Sequence, residues 1–215
     1  MILDTGAVPD IQIRAVVFDL GGVLIDWDPR HLYRRLFADQ DEMERFLAEV
    51  CTSAWHLEHD LGADVRESCR RLAAVHPGYR EMIMAWAEHG EEMAAGQFDQ
   101  TVAVLADLKA AGQHCYALSN MEPDTFAVRR ERFGFMRMFD GCVISGIERV
   151  AKPDPRIFQI LLDRYRLDPA SAVFIDDSPR NVEAAQALGM SALVYRSASC
   201  LRRDLRCLGI AGLGE

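Results

Sequence analysis

From Thr101 onward, the sequence alternates between short apolar runs and longer amphipathic segments. Each apolar run has the length and composition of a strand, and the amphipathic segments carry helix-capping residues or end at glycine. Strands that alternate with helices form a parallel sheet covered by helices, so the chain is predicted to be α/β. The predicted strands are 13–18, 114–118, 142–145, 172–175 and 191–195, and the predicted helices of this part are 101–111, 154–165 and 178–188.

Three of the predicted strands end in polar residues. In parallel α/β sheets, ligands bind at the carboxyl ends of the strands, so these residues are candidate site residues. The first strand is followed by Asp19, a carboxylate beside glycines whose bare backbone lets a phosphorus atom approach without steric obstruction. The other residues at these strand ends are Gly21, Gly22, Ser119, Asn120, Asp176 and Asp177.

Asp176 and Asp177 are the least ordinary of these residues. Two adjacent carboxylates repel each other and are costly unless a cation or hydrogen-bond donors are present. Hard oxygen ligands with room for water are typical of magnesium sites, so the pair indicates Mg²⁺. Lys152, in the segment VAKPDP, offers an ammonium group. Near a nucleophilic carboxylate, that group would keep the carboxylate ionised and neutralise phosphate charge.

Residues 29–97 carry no convincing strand pattern, and their apolar residues recur at helical spacing. The pattern predicts a helical block of about 70 residues. Within it, the spacing of His56 and His59 is compatible with a metal site. No clear third ligand is evident in the sequence, so we interpret these histidines as surface or substrate-facing groups, together with Arg30 and His31.

The charge and the cysteine content bear on the class of protein. Lys and Arg number 24 and Asp and Glu number 33, so the formal charge is 24 − 33 = −9. Nucleic-acid binders rest on basic surfaces, so no nucleic-acid partner is expected, although a local pocket can still bind an anionic substrate. The six cysteines form no C-x-x-C pair, and Cys115 and Cys142 are predicted to be buried thiols.

The hydropathy pattern bears on the compartment. No apolar run reaches the roughly 20 residues of a membrane span, and the N-terminal MILDTGAVPD lacks the features of a signal peptide. We therefore expect a cytoplasmic protein without a membrane partner. The sequence does not indicate an oligomeric state.

Four motifs, taken in chain order, resemble the haloacid dehalogenase-like hydrolase superfamily. The resemblance implies an α/β fold with a Rossmann-like parallel sheet core, residues 1–28 and 98–215, and an inserted α-helical cap of the first type, residues 29–97. The motifs are FDLGGVL at 18–24, LSN at 118–120, KPDPRIF at 152–158 and FIDDSPRNVEAAQALGM at 174–190.

The resemblance also implies a mechanism. Asp19 would attack phosphorus and form an aspartyl-phosphate, which water then hydrolyses. A magnesium ion would shield the charge of the transferring group. The implied metal ligands are Asp19, the carbonyl of Gly21, and Asp176 or Asp177. The implied catalytic residues are Asp19, Ser119 and Lys152, the substrate-binding residues are Gly21, Gly22, Ser119, Asn120 and Lys152, and Asn181 would support the acidic loop.

The sequence departs from the family pattern at Gly21. Phosphatases of the family usually carry a second Asp there, as general acid and base. Some sugar-1-phosphate phosphatases of the superfamily look similar to this chain, with a glycine at that position and a D-x-D shortly after, here Asp26-Trp27-Asp28. The nearest residues that could supply the missing group are Asp26, Asp28 and His31.

Three readings remain. The leading one is a magnesium-dependent phosphatase of a small phosphorylated metabolite, with sugar phosphates among the candidates. The first alternative is a 2-haloacid dehalogenase, in which Asp19 attacks carbon without a metal; Asp176-Asp177 opposes it, because the pair would repel an anionic substrate. The second alternative is a non-catalytic binding protein on a degenerate hydrolase fold, suggested by Gly21 and opposed by the intact Asp19 and Lys152.

Overall fold

The structure is a computed structural model, and it describes residues 12–213. Its strands form one large sheet and one small pair. The strands are β1 (Ala15–Phe18), β2 (Ile25–Trp27), β3 (Ala94–Gln97), β4 (His114–Ser119), β5 (Gly141–Ile144), β6 (Ala172–Asp176) and β7 (Ser191–Val194). Five of them form a parallel sheet in the order β5-β4-β1-β6-β7, and β2 pairs antiparallel with β3. The predicted α/β fold with a parallel sheet is confirmed.

Helices cover the sheet and also form most of the segment between β2 and β3. Short 3₁₀ turns link several of them, at Pro77–Tyr79, Gly90–Met93, Gly134–Met138 and Pro169–Ser171. The helices are α1 (Arg30–Tyr33), α2 (Gln40–Glu49), α3 (Ser53–Asp60), α4 (Val65–Val75), α5 (Arg80–His89), α6 (Asp99–Ala110), α7 (Pro123–Arg132), α8 (Ser145–Glu148), α9 (Pro155–Tyr165), α10 (Pro179–Ala187) and α11 (Ala198–Cys207).

The central strand β1 is buried on both faces of the sheet. Val16 and Phe18 belong to the hydrophobic cluster that includes residues of α6 and α11. Ala15 and Val17 belong to the cluster on the other face, which includes residues of α9 and α10. The alternation arises because successive side chains of a strand point to opposite faces. A strand covered on both faces reads as a continuous apolar run, which is why the sequence predicts it well.

The segment between β2 and β3 has a hydrophobic cluster of its own. Tyr33, Phe46 and Trp86 lie at its centre, and the Tyr33 ring centroid is 5.1 Å from that of Phe46 and 6.2 Å from that of Trp86. Among the described residues, none of the helices is both long and apolar enough to cross a membrane.

The structure corrects three local predictions. A strand, β3, lies at the end of the segment for which we expected none; its sequence AAGQ has no β-branched or aromatic residue to signal it. Cys115 is buried as predicted, but Cys142 is only half-buried because it lies on the edge strand β5. Helices α3, α7 and α11 were not individually predicted. The N-terminal segment MILDTGAVPD, on which the expectation about a signal peptide rests, lies outside the described residues.

Candidate active site

The sheet order brings the polar strand ends together. β1 lies between β4 and β6, and all three strands run parallel. Asp19 follows β1, Ser119 is the last residue of β4, and Asp176 is the last residue of β6. These residues therefore meet at one edge of the sheet, where they are buried. The convergence is the structural reason why three distant segments of sequence can form one site.

Lys152 joins two of these carboxylates. Its Nζ lies 2.9 Å from Asp19 Oδ1 and 2.7 Å from Asp176 Oδ2, and the lysine side chain is 1% exposed. Burial raises the pKa of Asp19 to about 7, against the opposing effect of the Lys152 charge. Burial also disfavours the Lys152 ammonium, but the two carboxylates more than offset this effect and raise the pKa of the lysine. The lysine is therefore a fixed positive charge beside Asp19.

The two oxygens of Asp19 have different surroundings. Oδ1 accepts a hydrogen bond from the backbone N–H of Leu20 at 2.7 Å and also contacts Lys152. Oδ2 accepts no hydrogen bond from the described residues. Because Oδ1 is occupied, Oδ2 is the oxygen available to attack phosphorus.

Asp176 is held by donors from the start of α10. Its Oδ1 accepts from the Ser178 N–H at 2.8 Å, and Asn181 Nδ2 lies 3.0 Å from Oδ1 and 3.1 Å from Oδ2. Asn181 thus contacts the acidic loop directly, which agrees with the supporting role that the resemblance implies. These hydrogen bonds allow Asp176 to lie fully buried.

Asn120 has a partner that the sequence does not reveal. Its side-chain amide donates to the Lys152 carbonyl at 3.0 Å and accepts from the Lys152 N–H at 2.9 Å. The amide is thereby occupied in positioning the lysine. We predicted Asn120 as a substrate-binding residue, and the structure leaves its backbone, rather than its side-chain amide, for that role. Ser119, its neighbour, lines the same cleft.

Asp19, Asp176 and Asp177 form a possible cation site. Each offers one carboxylate oxygen, and the three oxygens lie within 4.8 Å of one another. Burial, followed by the charge of Asp176, raises the pKa of Asp177. The oxygen donors fit Mg²⁺, which prefers hard ligands. Gly22 makes room for this cluster: its φ is +72°, and a Cβ there would lie 2.4 Å from Asp177 Oδ2. The Gly21 carbonyl stays a predicted ligand.

The site opens into a cleft of about 1240 Å³. One wall comes from the helical segment and includes His56, Asp60 and Trp86, and Trp27 of β2 lines the cleft as well. A smaller cavity of about 270 Å³ adjoins the cleft and shares Trp27, Arg30, His56 and Trp86 with it. The cleft is thus acidic at its floor and partly aromatic at its wall. The sequence indicated the floor through motifs, and it suggested Asp60 as a surface or substrate-facing residue beside His59, but no motif marked Trp86.

Of the three residues suggested to replace the acid/base missing at Gly21, one lines the cleft. Asp28 does so, and its carboxylate accepts from the Arg30 N–H at 2.8 Å. Asp26 and His31 instead contact each other, with His31 Nε2 2.9 Å from Asp26 Oδ1, and neither is among the residues that line the cleft.

The structure supplies the third ligand that His56 and His59 lack in the sequence. Glu122, which precedes α7, offers a carboxylate oxygen within 4.8 Å of a nitrogen of each histidine. The sequence could not indicate it, because Glu122 lies 122 − 59 = 63 positions after His59 in the chain. His59 is fully buried, so its interpretation as a surface or substrate-facing group was wrong, whereas His56 lines the cleft.

Most of the chain is similar in sequence to a known protein family. Residues 13–189 match the family of haloacid dehalogenase-like hydrolases. Sesquiterpene phosphatase astK of Aspergillus oryzae is 27% identical over 205 residues, which cover 91% of this chain and 96% of that protein. Phosphorylated carbohydrates phosphatase of Thermotoga maritima is 23% identical over 201 residues, which cover 83% and 82%. Some other relatives are longer, and the match covers 19% of mouse acyl-CoA dehydrogenase family member 10.

Solved structures show the same fold. A HAD family enzyme from Bacteroides thetaiotaomicron, in complex with magnesium and inorganic phosphate, matches with a TM-score of 0.65 at 22% identity, over 86% of this chain and 95% of that one. Dehalogenase structures match with TM-scores from 0.61 to 0.63. At this level of identity the similarity establishes the fold, and it does not separate the two activities.

Proposed function

Because the chain belongs to the haloacid dehalogenase-like hydrolase family, we propose that it is a magnesium-dependent phosphomonoesterase that acts on a small phosphorylated metabolite. The observation that carries the proposal is the buried Lys152 between Asp19 and Asp176, with Asp177 beside them. A phosphoryl group needs a nucleophile, positive charge for its oxygens and a divalent cation, and this group of residues can provide or hold each of them. Relatives named as phosphatases support the same activity.

In the proposed reaction, Asp19 Oδ2 attacks phosphorus and the bond from phosphorus to the leaving oxygen breaks. The leaving oxygen takes a proton from solvent water, and the phosphoryl group remains on Asp19 as an acyl phosphate. Water then attacks the same phosphorus, which releases inorganic phosphate and restores the Asp19 carboxylate. Lys152 holds Oδ1 throughout, and Ser119 lies in the cleft where it can donate to a phosphoryl oxygen.

The acidic residues would hold the cation that this chemistry uses. Asp19, Asp176 and Asp177 supply oxygen donors, and the Gly21 carbonyl is proposed as a further ligand. When bound, Mg²⁺ would shield the negative charge of the transferring phosphoryl group. The same residues argue against a dehalogenase. Displacement of halide from a haloacid needs no metal. Without a bound cation, three clustered carboxylates would repel the haloacid anion.

The first test measures both activities on one preparation. With Mg²⁺, the protein is expected to release phosphate from at least one compound of a panel that includes a sugar 1-phosphate, an aryl phosphate and a prenyl monophosphate. EDTA should abolish this release and added Mg²⁺ should restore it, because the carboxylates alone cannot neutralise the substrate. The same preparation is given 2-chloropropionate. Chloride release that persists in EDTA, without phosphate release from any compound, would replace the phosphatase by the dehalogenase.

Gly21 predicts a specific kinetic weakness. A positioned general acid or base is worth about 10²–10⁴-fold in rate, and Gly21 has no side chain to provide one. Hydrolysis of the aspartyl-phosphate should therefore be slow, and good leaving groups such as aryl phosphates should be preferred over alkyl phosphates. We expect a burst of the released alcohol, of about one equivalent per active site, before steady turnover.

Gly21→Asp is the matched variant for this prediction. A Cβ at Gly21 would meet only Trp27 Cβ, at 3.9 Å, so the position has space for a side chain. The variant should lose the burst and turn over alkyl phosphates faster, as rapid-mixing experiments would show. Gly21→Ala serves as the control, since it adds the Cβ without the carboxyl group. Equal rates for both leaving groups and no burst in the native protein would mean that another residue already does this work.

We also propose that residues 29–97 form a cap domain over a core made of residues 1–28 and 98–215. The separate hydrophobic cluster around Tyr33, Phe46 and Trp86 supports this division, as does the wall that the segment contributes to the cleft. Replacing residues 29–97 by a short linker should leave a folded core that has lost discrimination among phosphorylated compounds. Circular dichroism and the same substrate panel measure the two outcomes. If the variant that lacks residues 29–97 cannot fold, the segment belongs to the core.

The proposed substrate is a small molecule, with no nucleic acid or membrane as partner. A cytoplasmic location is proposed as well, and the six free cysteines agree with a reducing compartment.

A further inference from the structure

We propose that His56, His59 and Glu122 form a second metal site, for a transition-metal ion such as Zn²⁺. The two histidines lie on α3 and Glu122 lies at the start of α7, and one ligand atom from each residue lies within 4.8 Å of the others. None of the three belongs to the Asp19, Asp176 and Asp177 cluster. The site is therefore separate from the proposed magnesium site, although His56 and Glu122 line the same cleft.

The independent observation is the state of His59. Its side chain is 0% exposed, and neither Nδ1 nor Nε2 has a hydrogen-bond partner among the described residues. A buried polar group without a partner destabilises the folded state, so such a group in a folded protein requires an explanation. A metal ion bound to one ring nitrogen would remove part of that cost.

Aromatic contacts fix the orientation of the two imidazole rings. The His56 ring stacks on Trp27, with centroids 5.2 Å apart and an interplanar angle of 12°. The Trp55 ring packs against His59 at 4.4 Å with an angle of 78°. Side chains that are held in place lose less entropy when they bind a ligand. The histidines are thus held close to one another before a metal binds.

The donor set identifies the class of metal. Two imidazole nitrogens and one carboxylate are typical of zinc sites that keep a fourth position open. Nitrogen donors favour Zn²⁺, Co²⁺ and similar ions over Mg²⁺. Zinc bonds of about 2.0–2.1 Å place tetrahedral ligand atoms roughly 3.4 Å apart, so the cluster needs to contract by at most about 1.4 Å. Side-chain rotations can provide this movement.

Neighbouring charges are compatible with a cation. Asp60 lies next to the histidines, with Oδ1 4.0 Å from His56 Nε2. Arg129 is the opposing charge, and it lowers the pKa of His56 after the effect of burial. Its guanidinium is itself paired, with Nε 3.3 Å from Glu91 Oε1. Two further arginines lie nearby, and both are paired: Arg71 with Glu58 at 3.0 Å and Arg132 with Glu91 at 3.6 Å. Each of these three arginines therefore has a carboxylate partner.

The location of the ligands indicates what the metal would do. His56 and His59 belong to the helical segment, and Glu122 belongs to the loop that follows β4 of the sheet. A metal held by both sides would fix the helical segment against the sheet at the rim of the cleft. This role is a stabilising clamp, and it does not depend on the reaction proposed for Asp19.

The test uses the full-length protein after removal of metals. Co²⁺ titration should give the visible absorption of a tetrahedral nitrogen and oxygen site at one equivalent, and Zn²⁺ should displace it. After Zn²⁺ is added and the excess is removed by desalting, elemental analysis should find one zinc per chain. Zn²⁺ should also raise the melting temperature. All three results should persist in Asp177→Asn, which alters the acidic cluster and leaves the histidines intact.

Variants of the ligands decide the outcome. Glu122→Gln and His59→Gln should each weaken Co²⁺ and Zn²⁺ binding at least about tenfold, and Zn²⁺ should no longer raise their melting temperature. His114→Gln, which changes an exposed histidine on β4, should bind as the native protein does. Glu122 is half-buried and its replacement is nearly isosteric, so Glu122→Gln serves if His59→Gln fails to fold. Absence of one-equivalent binding, unchanged binding by Glu122→Gln, or loss of binding in Asp177→Asn would each overturn the proposal.

Discussion

Asp19→Asn should lower phosphate release by at least about a thousandfold and leave the fold intact. An amide oxygen is a poor nucleophile toward phosphorus, so the covalent step loses its attacking group. A thousandfold loss corresponds to roughly 4 kcal/mol of transition-state stabilisation, as expected for a residue that takes part in bond formation. The two side chains are nearly isosteric, so the packing around the buried position should not change. The measurement is kcat/KM on the best substrate of the panel, with circular dichroism and thermal unfolding to check the fold.

Asp107→Asn is the matched control for Asp19→Asn. Asp107 lies on α6 and its carboxylate pairs with Arg202 at 2.5 Å, outside the residues that line the cleft. The control should keep native activity. An Asp19→Asn variant with more than roughly a tenth of the native rate would contradict a covalent role worth several kcal/mol.

Lys152→Met should affect both activity and stability. Without the Lys152 ammonium group, Asp19 and Asp176 are buried carboxylates that lack a positive partner. Removal of one partner of a buried ion pair typically lowers the free energy of unfolding by about 3–5 kcal/mol. Removal of one electrostatic stabiliser also costs about 10²–10³-fold in rate. Both effects should appear, since the lysine is proposed to hold the nucleophile and to contact the phosphoryl group.

The stability effect of Lys152→Met should depend on pH. Burial raises the pKa of Asp19 to about 7 even beside the lysine, and removal of the lysine should raise it further. A carboxyl group whose pKa is higher in the folded state than in the unfolded state favours folding below its unfolded pKa, and this contribution is lost as the pH rises through the folded pKa. In EDTA, the unfolding free energy of the variant should therefore fall further below the native value at pH 8 than at pH 5, as urea denaturation would measure.

The sequence offers a direct control, because Lys109 is its only other lysine. Lys109 pairs with Asp140 at 2.7 Å, and its side chain is 27% exposed. Exposed pairs contribute little, so Lys109→Met should change the unfolding free energy by less than about 1 kcal/mol. If the two lysine variants lose the same free energy of unfolding, the buried position of Lys152 gives its charge no larger effect on stability.

The elements that the sequence predicted share a physical origin. β1, β4 and β6 are buried on both faces, so each is a continuous apolar run, and parallel strands must present their carboxyl ends at one edge. Asp19 and Asp176 could therefore be expected to meet before any coordinates were known. The resemblance to a family then added the order of the motifs and the role of Lys152.

The features that the sequence did not predict depend on contacts between distant segments. Nothing local to Asn120 indicates that its amide binds the backbone of Lys152, because that contact exists only once two loops are packed together. Glu122 meets His56 and His59 for the same kind of reason. β3 escaped prediction because its residues have weak strand propensity and depend on pairing with β2.

The floor of the cleft carries more negative than positive charge, and this imbalance couples two binding events. In the cation-bound form, Asp19, Asp176 and Asp177 would all be ionised against the single Lys152, so that the charge of these four residues is 1 − 3 = −2. A phosphate monoester brings roughly −1.5 to −2 more near pH 7, so ester and dication each make the other's binding more favourable. Thermodynamic reciprocity requires the two enhancements to be equal. In the proposed phosphatase, departure of phosphate would weaken the hold on the cation, and turnover would respond to the free magnesium concentration around the protein.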